Sequence, residues 1–447
     1  MKNVIALNKR KGSLMLLMIL GFGAVCAQSD NSLSKDEAVE RALDNNFGIQ
    51  IALIQVDLAQ WGNSWGAAGA LPVVGVSATV SSAVSDQSEN PTAFIQDKLE
   101  SESINSAVQL SWTIFDGMGM FANKRALETL ELQADGQSNL VVEQTIAAVL
   151  LAYDETAVQG SFLEVLKSSI ALAQERLNRL KMQEESGAAS QFDRMQFENA
   201  MWSDSLAFLQ QELAGKTSMR NLNRLMGERE DVQWQLTTPL DLPESIGDWK
   251  SIESEVRLNA TAIRNALIGQ TLAQIGVDQA TSRLYPVVGL ASNFGDQRSQ
   301  FHVGELSGAG RTLNVAANLS LNFNLFNGGA TRRAIQQAKI QVDIAEMSLH
   351  NQGQEVYMLL RNAYDRLESQ RLGYRLSSQL VKNTKDALAI GEERFQFGAI
   401  SSLEFRELQL NHQRAEVENL RSIQGWNAAL TDLQVLRGAF AGEIRVN

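Results

Sequence analysis

Apolar and polar residues alternate strictly in one stretch of the second half of the chain. From Leu313 to Leu325, every odd position is Leu, Val, Ala or Phe, and every even position is Asn, Ala or Ser. This period of two predicts a β-strand with one apolar and one polar face. A strand of an ordinary β-sandwich could show the pattern, but the row of Asn and Ser indicates contact with water and the unbroken apolar row indicates contact with lipid. We therefore interpret the stretch as a lipid-facing strand of a membrane barrel.

The sequence predicts two pairs of β-strands. The first pair covers about residues 73–85 and 103–115, and the second covers about 287–297 and 311–326. The segments that connect the paired strands are polar and contain Gly or Ser, which is typical of the longer external loops of outer-membrane barrels. Four aromatic residues lie at the opposite strand ends, where an interfacial girdle or an ordinary apolar core would place them: Trp112, Phe115, Phe323 and Phe326.

Long helices are predicted between the strand pairs. Residues 118–186 and 329–397 contain no Pro and few Gly. A continuous α-helix of about 70 residues would be about 100 Å long. In the second stretch, apolar residues recur every three or four positions, as in a coiled-coil seam: Ile335, Ala338, Val342, Ala345 and Leu349. The small residues of the seam permit close helix packing, and the charged and Gln-rich remainder predicts contact with water.

The chain consists of two copies of one unit. Four landmarks recur at a spacing of 211 residues (326 − 115, 364 − 153, 398 − 187 and 438 − 227). In the first half they are Phe115-Asp116-Gly117, Ala152-Tyr153-Asp154, Gly187-Ala188-Ala189-Ser190 and the stretch from Leu222 to Gly227. Pro72 and Pro286 recur at 286 − 72 = 214, so the slip of three residues falls between paired strands, where a change of length is tolerated. These landmarks indicate a tandem duplication.

Each unit is predicted to contain a helix, two strands, a very long helix, a tight turn and another helix. This order places the first repeat at 28–238, a linker at 239–250 and the second repeat at 251–447. The helical hairpins then occupy 118–227 and 329–437.

Residues 1–27 have the pattern of a secretory signal peptide. Four basic residues precede a short apolar run, and small residues lead up to Ala27. Because the apolar run is too short for a membrane span, we expect cleavage and a mature chain that begins at Gln28. Cys26, the only cysteine, raises the alternative of a lipoprotein, but the residues before it do not fit a lipidation signal. The exported chain would then have no thiol and no disulfide.

The composition excludes several classes of function. The formal net charge is 39 − 51 = −12, which argues against nucleic acid as a partner. His302, His350 and His412 are far apart and lack metal-ligand spacing, and no Gly-rich phosphate-binding loop is present. We therefore expect no enzyme activity, no cofactor and no metal, and any energy coupling must come from a partner protein.

Four strands cannot close a barrel. An open sheet edge in lipid leaves unpaired backbone groups that cost several kcal/mol each, so the chain must oligomerise. Two copies would give about eight strands, which barely enclose their own side chains, whereas three would give about twelve and leave room for a channel. Three or more copies are therefore favoured.

The duplicated order resembles the outer membrane efflux protein family, typified by TolC. The resemblance rests on strand pairs followed by long helical hairpins, on the Phe-Asp-Gly and Phe-Asn-Gly exits from the second strands, and on the Gly-x-x-Ser hairpin tips, and it covers residues 33–438. It implies a trimer with a twelve-stranded barrel in the outer membrane of a Gram-negative bacterium, continued by an α-helical barrel in the periplasm. It also implies an exit duct of a tripartite efflux pump or a type I secretion system, docked on a periplasmic adaptor and an inner-membrane transporter.

The hairpin tips are the first candidate site. Gly187 and Gly398 occupy turns that favour a left-handed backbone, and Ser190 and Ser401 can cap the helices that follow. These four residues could simply be good turn formers. The resemblance implies that they form the periplasmic mouth and contact the adaptor.

Acidic residues follow the tips. Glu404 and Glu407 are three positions apart and therefore share one helix face, while Asp193 holds the position equivalent to Glu404 and Gln196 replaces the second acid. The resemblance implies that such residues form carboxylate rings at a narrowed entrance, which would favour cations. The alternative is an ordinary solvated helix face.

Phe395 precedes the second tip, where the family often has an aromatic residue with a hydroxyl group. Phe395 cannot form a hydrogen bond, and Ile400 brings no charge to the tip. A hydrophobic constriction is therefore as plausible as a closed state held by polar links.

Two other functions compete with the duct. A stand-alone diffusion porin would not need helices of about 100 Å. A structural or adhesive coiled-coil protein that spans the periplasm would not need strands that face lipid.

Overall fold

The computed structural model describes residues 31–94, 96–185, 190–240 and 247–440. The predicted signal peptide with Cys26 and the first tip glycine, Gly187, lie outside these ranges. The elements in chain order are β1 Ser32–Leu33, α1 Lys35–Asn45, α2 Phe47–Gly62, β2 Val73–Asp86, β3 Lys98–Phe115, α3 Gly119–Glu185, α4 Gln191–Met226, β4 Gln235–Leu236, α5 Trp249–Asn259, α6 Thr261–Ser282, β5 Val287–Val303, β6 Leu306–Asn322, α7 Ala330–Gln396 and α8 Ser402–Leu436.

The chain is an α+β protein in which the two halves have the same order of helices and long strands, and the first half adds the two-residue strands β1 and β4. Two short helices precede a β-hairpin, a helix of 67 residues follows, and a helix of 36 residues in the first half or 35 in the second completes the unit. At a rise of about 1.5 Å per residue, α3 and α7 are each about 100 Å long. Among the described residues, no helix combines the length and the apolar character that a bilayer crossing requires.

The four long strands form one antiparallel sheet in the order β2-β3-β5-β6. Val76 pairs with Val108, Val108 pairs with Phe294, and Phe294 pairs with Val315. Because directly paired residues point to the same face, this register gathers most of the large apolar residues of the four strands on one face of the sheet. The side chains of the opposite face are Ser, Thr, Asn, Gln and a few apolar residues, and none of them is charged.

The second β-hairpin corrects the prediction of a long polar loop between residues 297 and 311. β5 continues to Val303 and β6 begins at Leu306, so only Gly304 and Glu305 form the turn. Gly304 adopts a φ of 54°, a conformation that Gly adopts without steric strain. The prediction was wrong because polar residues such as Arg298 and His302 occupy the apolar face near the turn. Phe301 and Val303 lie on the opposite face there, so the alternation of the central stretch does not continue.

Two other strand limits differ from the prediction. β3 begins at Lys98, five residues before its predicted start, which shortens the first connecting loop to 87–97. β6 ends at Asn322 although the alternation continues to Leu325. The last residues of the alternating stretch have no strand beside them within one chain, so no ladder of hydrogen bonds extends that far.

Each half has two helices before its β-hairpin, where the sequence predicted one. The break in the first half lies at Asn46, whose Oδ1 accepts hydrogen bonds from the backbone N–H groups of Gly48 (2.8 Å) and Ile49 (3.2 Å). The repeated glycine at the end of each hairpin packs against this break. A Cβ on Gly227 would lie 2.4 Å from the carbonyl oxygen of Asn45.

The second half repeats this contact. A Cβ on Gly438 would lie 2.7 Å from the carbonyl oxygen of Asn259, and the two glycines have φ values of 70° and 65°. Glycine is therefore required at the end of both hairpins, both for the left-handed backbone and for the close approach.

Tyr153 of the first repeat closes the core between the helices and the small sheet. Its ring is fully buried, and its hydroxyl donates to the carbonyl oxygen of Leu33 (2.8 Å) and accepts from the backbone N–H of Thr238 (3.0 Å). These bonds join α3 to β1 and to the segment that follows β4 in the two-stranded β1–β4 sheet. The equivalent Tyr364 instead packs edge-on against Trp249, with ring centroids 5.2 Å apart.

Candidate functional site at the helical tips

The second hairpin tip is a tight turn followed by a well-capped helix. Gly398 has a φ of 67°, and the backbone N–H of Ala399 donates to the carbonyl oxygen of Arg394 (2.8 Å). Ser401 then caps α8: its Oγ accepts from the backbone N–H of Glu404 (3.3 Å), and Glu404 Oε2 accepts from the backbone N–H of Ser401 (2.8 Å). These reciprocal bonds form a capping box, which fixes where α8 begins.

The same contacts determine the state of Glu404. Its side chain is exposed, and hydrogen bonds from the backbone N–H and the hydroxyl of Ser401 lower the pKa of its carboxyl group. Glu407 is also exposed, one turn further along α8. Both residues keep access to solvent, and Glu404 is negatively charged at neutral pH while it caps the helix.

Asp193 connects the two tips. At the start of α4, Ser190 Oγ accepts from the backbone N–H of Asp193 (3.2 Å) and donates to its Oδ2 (2.7 Å). Asp193 Oδ1 accepts from the hydroxyl of Ser402 at the start of α8 (2.6 Å). These hydrogen bonds, that of Ser402 above all, lower the pKa of Asp193. The carboxylate therefore links one hairpin to the other.

Phe395 lies in an aromatic cluster within the chain. Its ring stacks on Phe405 with centroids 5.1 Å apart and lies 5.6 Å from the ring of Phe197. Phe405 is fully buried, Phe197 is almost so, and Ile400 packs against the same group. Phe395 itself is only half-buried.

A polar network behind the tips was not predicted from the sequence. Both guanidinium Nη atoms of Arg406 on α8 donate to the carboxylate of Asp204 on α4 (2.6 and 3.0 Å), and the hydroxyl of Ser169 on α3 donates to the same group (3.1 Å). Asp204 is only 5% exposed. The burial of Asp204 could have been predicted from its spacing, because Phe197, Asp204 and Gln211 occupy buried positions seven residues apart.

Arg176 forms a second link between the hairpins. It is 9% exposed, its guanidinium lies 4.3 Å from the ring centroid of Phe405, and it pairs with Glu392 on α7 at 3.2 Å. Its buried position also follows from spacing, since Ala173, Leu177 and Leu180 form a buried stripe on the same face of α3.

His412 contacts residues of both α7 and α8. His412 Nδ1 lies 3.1 Å from the hydroxyl of Thr384, and its Nε2 lies 3.4 Å from Glu416. Within the ranges that the structure describes, no three His, Cys, Asp or Glu residues are arranged to hold a metal ion.

Comparison with known proteins identifies the family that this chain resembles. Residues 253–439 match the model of the outer membrane efflux protein family. The chain is 26% identical over 273 residues to Protein CyaE of Bordetella pertussis, a match that covers 61% of this chain and 57% of that protein. It is 22% identical over 297 residues to the probable efflux pump outer membrane protein TtgC of Pseudomonas putida, covering 64% and 59%. The matches confirm the resemblance to this family, and they span less than two thirds of either relative.

The fold is similar to that of the Campylobacter jejuni CmeC outer membrane channel. The TM-score is 0.74 over 90% of this chain and 85% of that chain, at 18% sequence identity. At this identity the likeness establishes the architecture of helices and sheet and nothing further.

Proposed function

We propose that this relative of the TolC-like outer membrane efflux proteins is a passive exit duct in the outer membrane of a Gram-negative bacterium. The duct extends into the periplasm, where it docks on an adaptor and an inner-membrane transporter of a tripartite efflux pump or a type I secretion system. The observation that carries the proposal is one sheet with an apolar face and an uncharged polar face, joined to two helical hairpins about 100 Å long. The sheet fits a wall between lipid and water, and the helices fit a conduit through the periplasm.

The four-stranded sheet needs further copies of the chain to close into a barrel. β2 and β6 are the outer strands of the sheet: each pairs on one side only, and among the described residues no strand lies along the other edge. Unpaired edges are unfavourable in lipid, so we propose that three copies close a barrel of twelve strands, in which the apolar face contacts outer-membrane lipid.

The internal repeat specifies how the copies join. β3, the second strand of the first repeat, pairs with β5, the first strand of the second repeat. The equivalent contact brings β6 of one copy beside β2 of the next. Gln109 pairs with Asn293, so the repeat spacings give 109 + 211 = 320 and 293 − 214 = 79. Ser320 should therefore lie directly opposite Thr79 of the neighbouring copy, on the polar face.

The helices support the same ring. α6 packs against both α3 and α7, whereas α2 packs against α3 alone among the long helices. The repeat would place α7 of one copy against α2 of the next. The outer face of α2 carries apolar side chains that a single chain leaves exposed, among them Leu58 (73%) and Trp61 (87%).

The glycines that follow the second strands show the same asymmetry. A Cβ on Gly117 would lie 2.3 Å from the carbonyl oxygen of Ser282, at the end of α6. A Cβ on Gly328 would meet nothing within 4 Å, although both glycines have a left-handed φ (71° and 65°). The partner of Gly328 would be the equivalent turn after α2 of the neighbouring copy.

The helical tips form the periplasmic entrance in this proposal. Ser190, Gly398 and Ser401 would shape the surface that meets the adaptor, and the expected role of Gly187 falls outside the described residues. Glu404 and Glu407, repeated around the ring and joined by Asp193, would make the entrance selective for cations. Phe395 would contribute the exposed side of its ring to a hydrophobic constriction.

Single-channel conductance in planar bilayers tests the proposal. The wild-type protein should form a cation-preferring pore, Glu404→Ala/Glu407→Ala should lose the cation preference, and Phe395→Ala should conduct more than the wild type because it widens the entrance. A pore whose ion preference survives the double substitution would remove the acidic residues from the entrance. If an inserted oligomer conducts neither as wild type nor as Phe395→Ala, the structural coiled-coil alternative replaces the duct.

A further inference from the structure

We propose that Arg298 and Arg311 form a binding site for the phosphate group of an outer-leaflet lipid, on the apolar face of the β5–β6 hairpin. The proposal rests on the proposed function for one step, the position of the sheet in the membrane. The site itself follows from the register and the charges of the hairpin.

Two arginines lie directly opposite each other on neighbouring strands. Arg298 of β5 pairs with Arg311 of β6. One step toward the helices, Asp296 pairs with Leu313, so all four residues belong to the apolar face. Like charges at directly paired positions destabilise a sheet. The pair therefore needs anions.

A single carboxylate serves both guanidinium groups. Arg311 donates to Asp296 through Nε (2.8 Å) and Nη2 (3.0 Å), and Arg298 donates through Nη2 (3.3 Å). Each guanidinium has five N–H donors, so most donors remain available for a second acceptor. The group carries a net charge of +1, and the side chains of Arg298 and Arg311 are 63% and 57% exposed, against 23% for Asp296.

Acidic residues on the neighbouring strand do not neutralise the pair directly. Glu102 of β3 pairs with Gln300, which places it diagonally from Arg298, and the residue directly beside Arg298 on β3 is Ile104. The ion pairs described for both arginines go to Asp296 alone. A planar, charged fork of this kind fits phosphate, which accepts two parallel hydrogen bonds from each guanidinium.

The height of the site on the sheet identifies the source of the phosphate. On β6, the apolar row runs from Leu313 to Leu321, which matches the 9–11 residues that a tilted transmembrane strand requires. Arg311 is the next residue on this face, on the side of the β-hairpin turn and away from the long helices. Because the helices lie in the periplasm in the proposed function, Arg311 and Arg298 lie at the level of the outer-leaflet headgroups, where lipid phosphates are concentrated.

Binding of lipid A to the purified oligomer tests the site. Native mass spectrometry should detect bound diphosphorylated lipid A on the wild-type protein, and Arg298→Gln/Arg311→Gln should bind it about tenfold more weakly or worse, since hydrogen bonds between charged groups are lost. The control Arg371→Gln/Arg375→Gln removes the same charge from exposed positions of α7 and should bind like the wild type. Dephosphorylated lipid A should bind the wild type as weakly as diphosphorylated lipid A binds the double variant.

Three results would overturn the inference. The first is equal binding of lipid A by the wild type and Arg298→Gln/Arg311→Gln. The second is inorganic phosphate that displaces lipid A at equimolar concentration, because the site would then be a general anion site. The third is a loss of thermal stability in the double variant that is equally large in lipid with phosphate groups and in lipid without them. The arginines would then serve contacts between copies, for example with Asp86 of the next copy. Conductance of the same samples separates failure of this site from failure of the duct.

Discussion

Glu143 shows how burial between α3 and α6 changes the pKa of a carboxyl group. It lies on α3, is 1% exposed, and accepts a hydrogen bond from the hydroxyl of Thr261 on α6 (2.7 Å). Desolvation raises the pKa of Glu143, against the opposing effects of the Thr261 hydrogen bond and the charge of Arg264. The folded protein therefore holds the proton of this group at a pH where the unfolded chain has released it.

The titration of Glu143 makes the stability of the folded protein fall as the pH rises. Because the folded pKa lies above the unfolded one, Glu143 reduces stability as the pH rises above its unfolded pKa of about 4.3, until the folded pKa is passed. Glu143→Gln keeps an acceptor for Thr261 and removes the titration, so it should raise the melting temperature at pH 8 and change it little at pH 4. Glu164→Gln, at an exposed position of the same helix, is the control. Circular dichroism melts between pH 4 and pH 8 would contradict this account if both variants shifted alike.

The tip residues divide into those that sequence could predict and those that it could not. Gly398 and Ser401 follow local rules for a left-handed turn and a helix cap, and the structure has both features. The pair Asp204 and Arg406 joins residues 202 positions apart, so only the packing of the two hairpins reveals it. The only sign of this pair in the local sequence is Asp204, a polar residue at a heptad position where an apolar residue would be expected.

At the scale of the elements, the two faces of β6 should differ in how well they tolerate a charged side chain. Ala317 lies in the middle of the apolar row and Asn318 lies beside it on the polar face. Arginine in the middle of a lipid-facing strand costs about 2–4 kcal/mol, whereas an arginine that faces water does not. Ala317→Arg should therefore lower the amount of heat-resistant oligomer in outer-membrane fractions, and Asn318→Arg should leave it near the wild-type level. Equal loss in both variants would contradict the assignment of the two faces.

The long elements were predictable because each sequence pattern continues regularly over many residues. α3 and α7 follow from stretches without Pro, and the centre of β6 follows from strict alternation. The end of β5 and the start of β6 were missed because polar residues replace the apolar ones on the apolar face near the turn, while Phe301 and Val303 lie on the opposite face. The helix breaks were missed because the break at Asn46 has a side-chain cap whereas the one at Ala260 has none, so a shared local signal is absent. The docking of Gly227 and Gly438 against these breaks is a tertiary contact.

At the scale of the whole molecule, a single chain leaves several surfaces without a partner among the described residues. The sheet has two unpaired edges, α2 exposes apolar side chains, and Gly328 lacks the neighbour that Gly117 has. In the proposed ring, each of these features would be completed by the same contact, in which the second repeat of one copy packs against the first repeat of the next. The uncharged polar face of the sheet would then line a water-filled barrel without charge selectivity of its own, and selectivity would arise at the helical tips.

Cysteine cross-linking between copies tests this closure most directly. Ser320→Cys combined with Thr79→Cys should give covalent oligomers on mild oxidation in membranes, up to a trimer, because the repeat places the two residues opposite each other. The mature chain predicted to begin at Gln28 has no other thiol to interfere. Ser320→Cys combined with Ser85→Cys, about 20 Å further along β2, should remain monomeric in denaturing gels. Cross-linking of both pairs alike, or of neither pair in a membrane-inserted oligomer, would contradict the proposed ring.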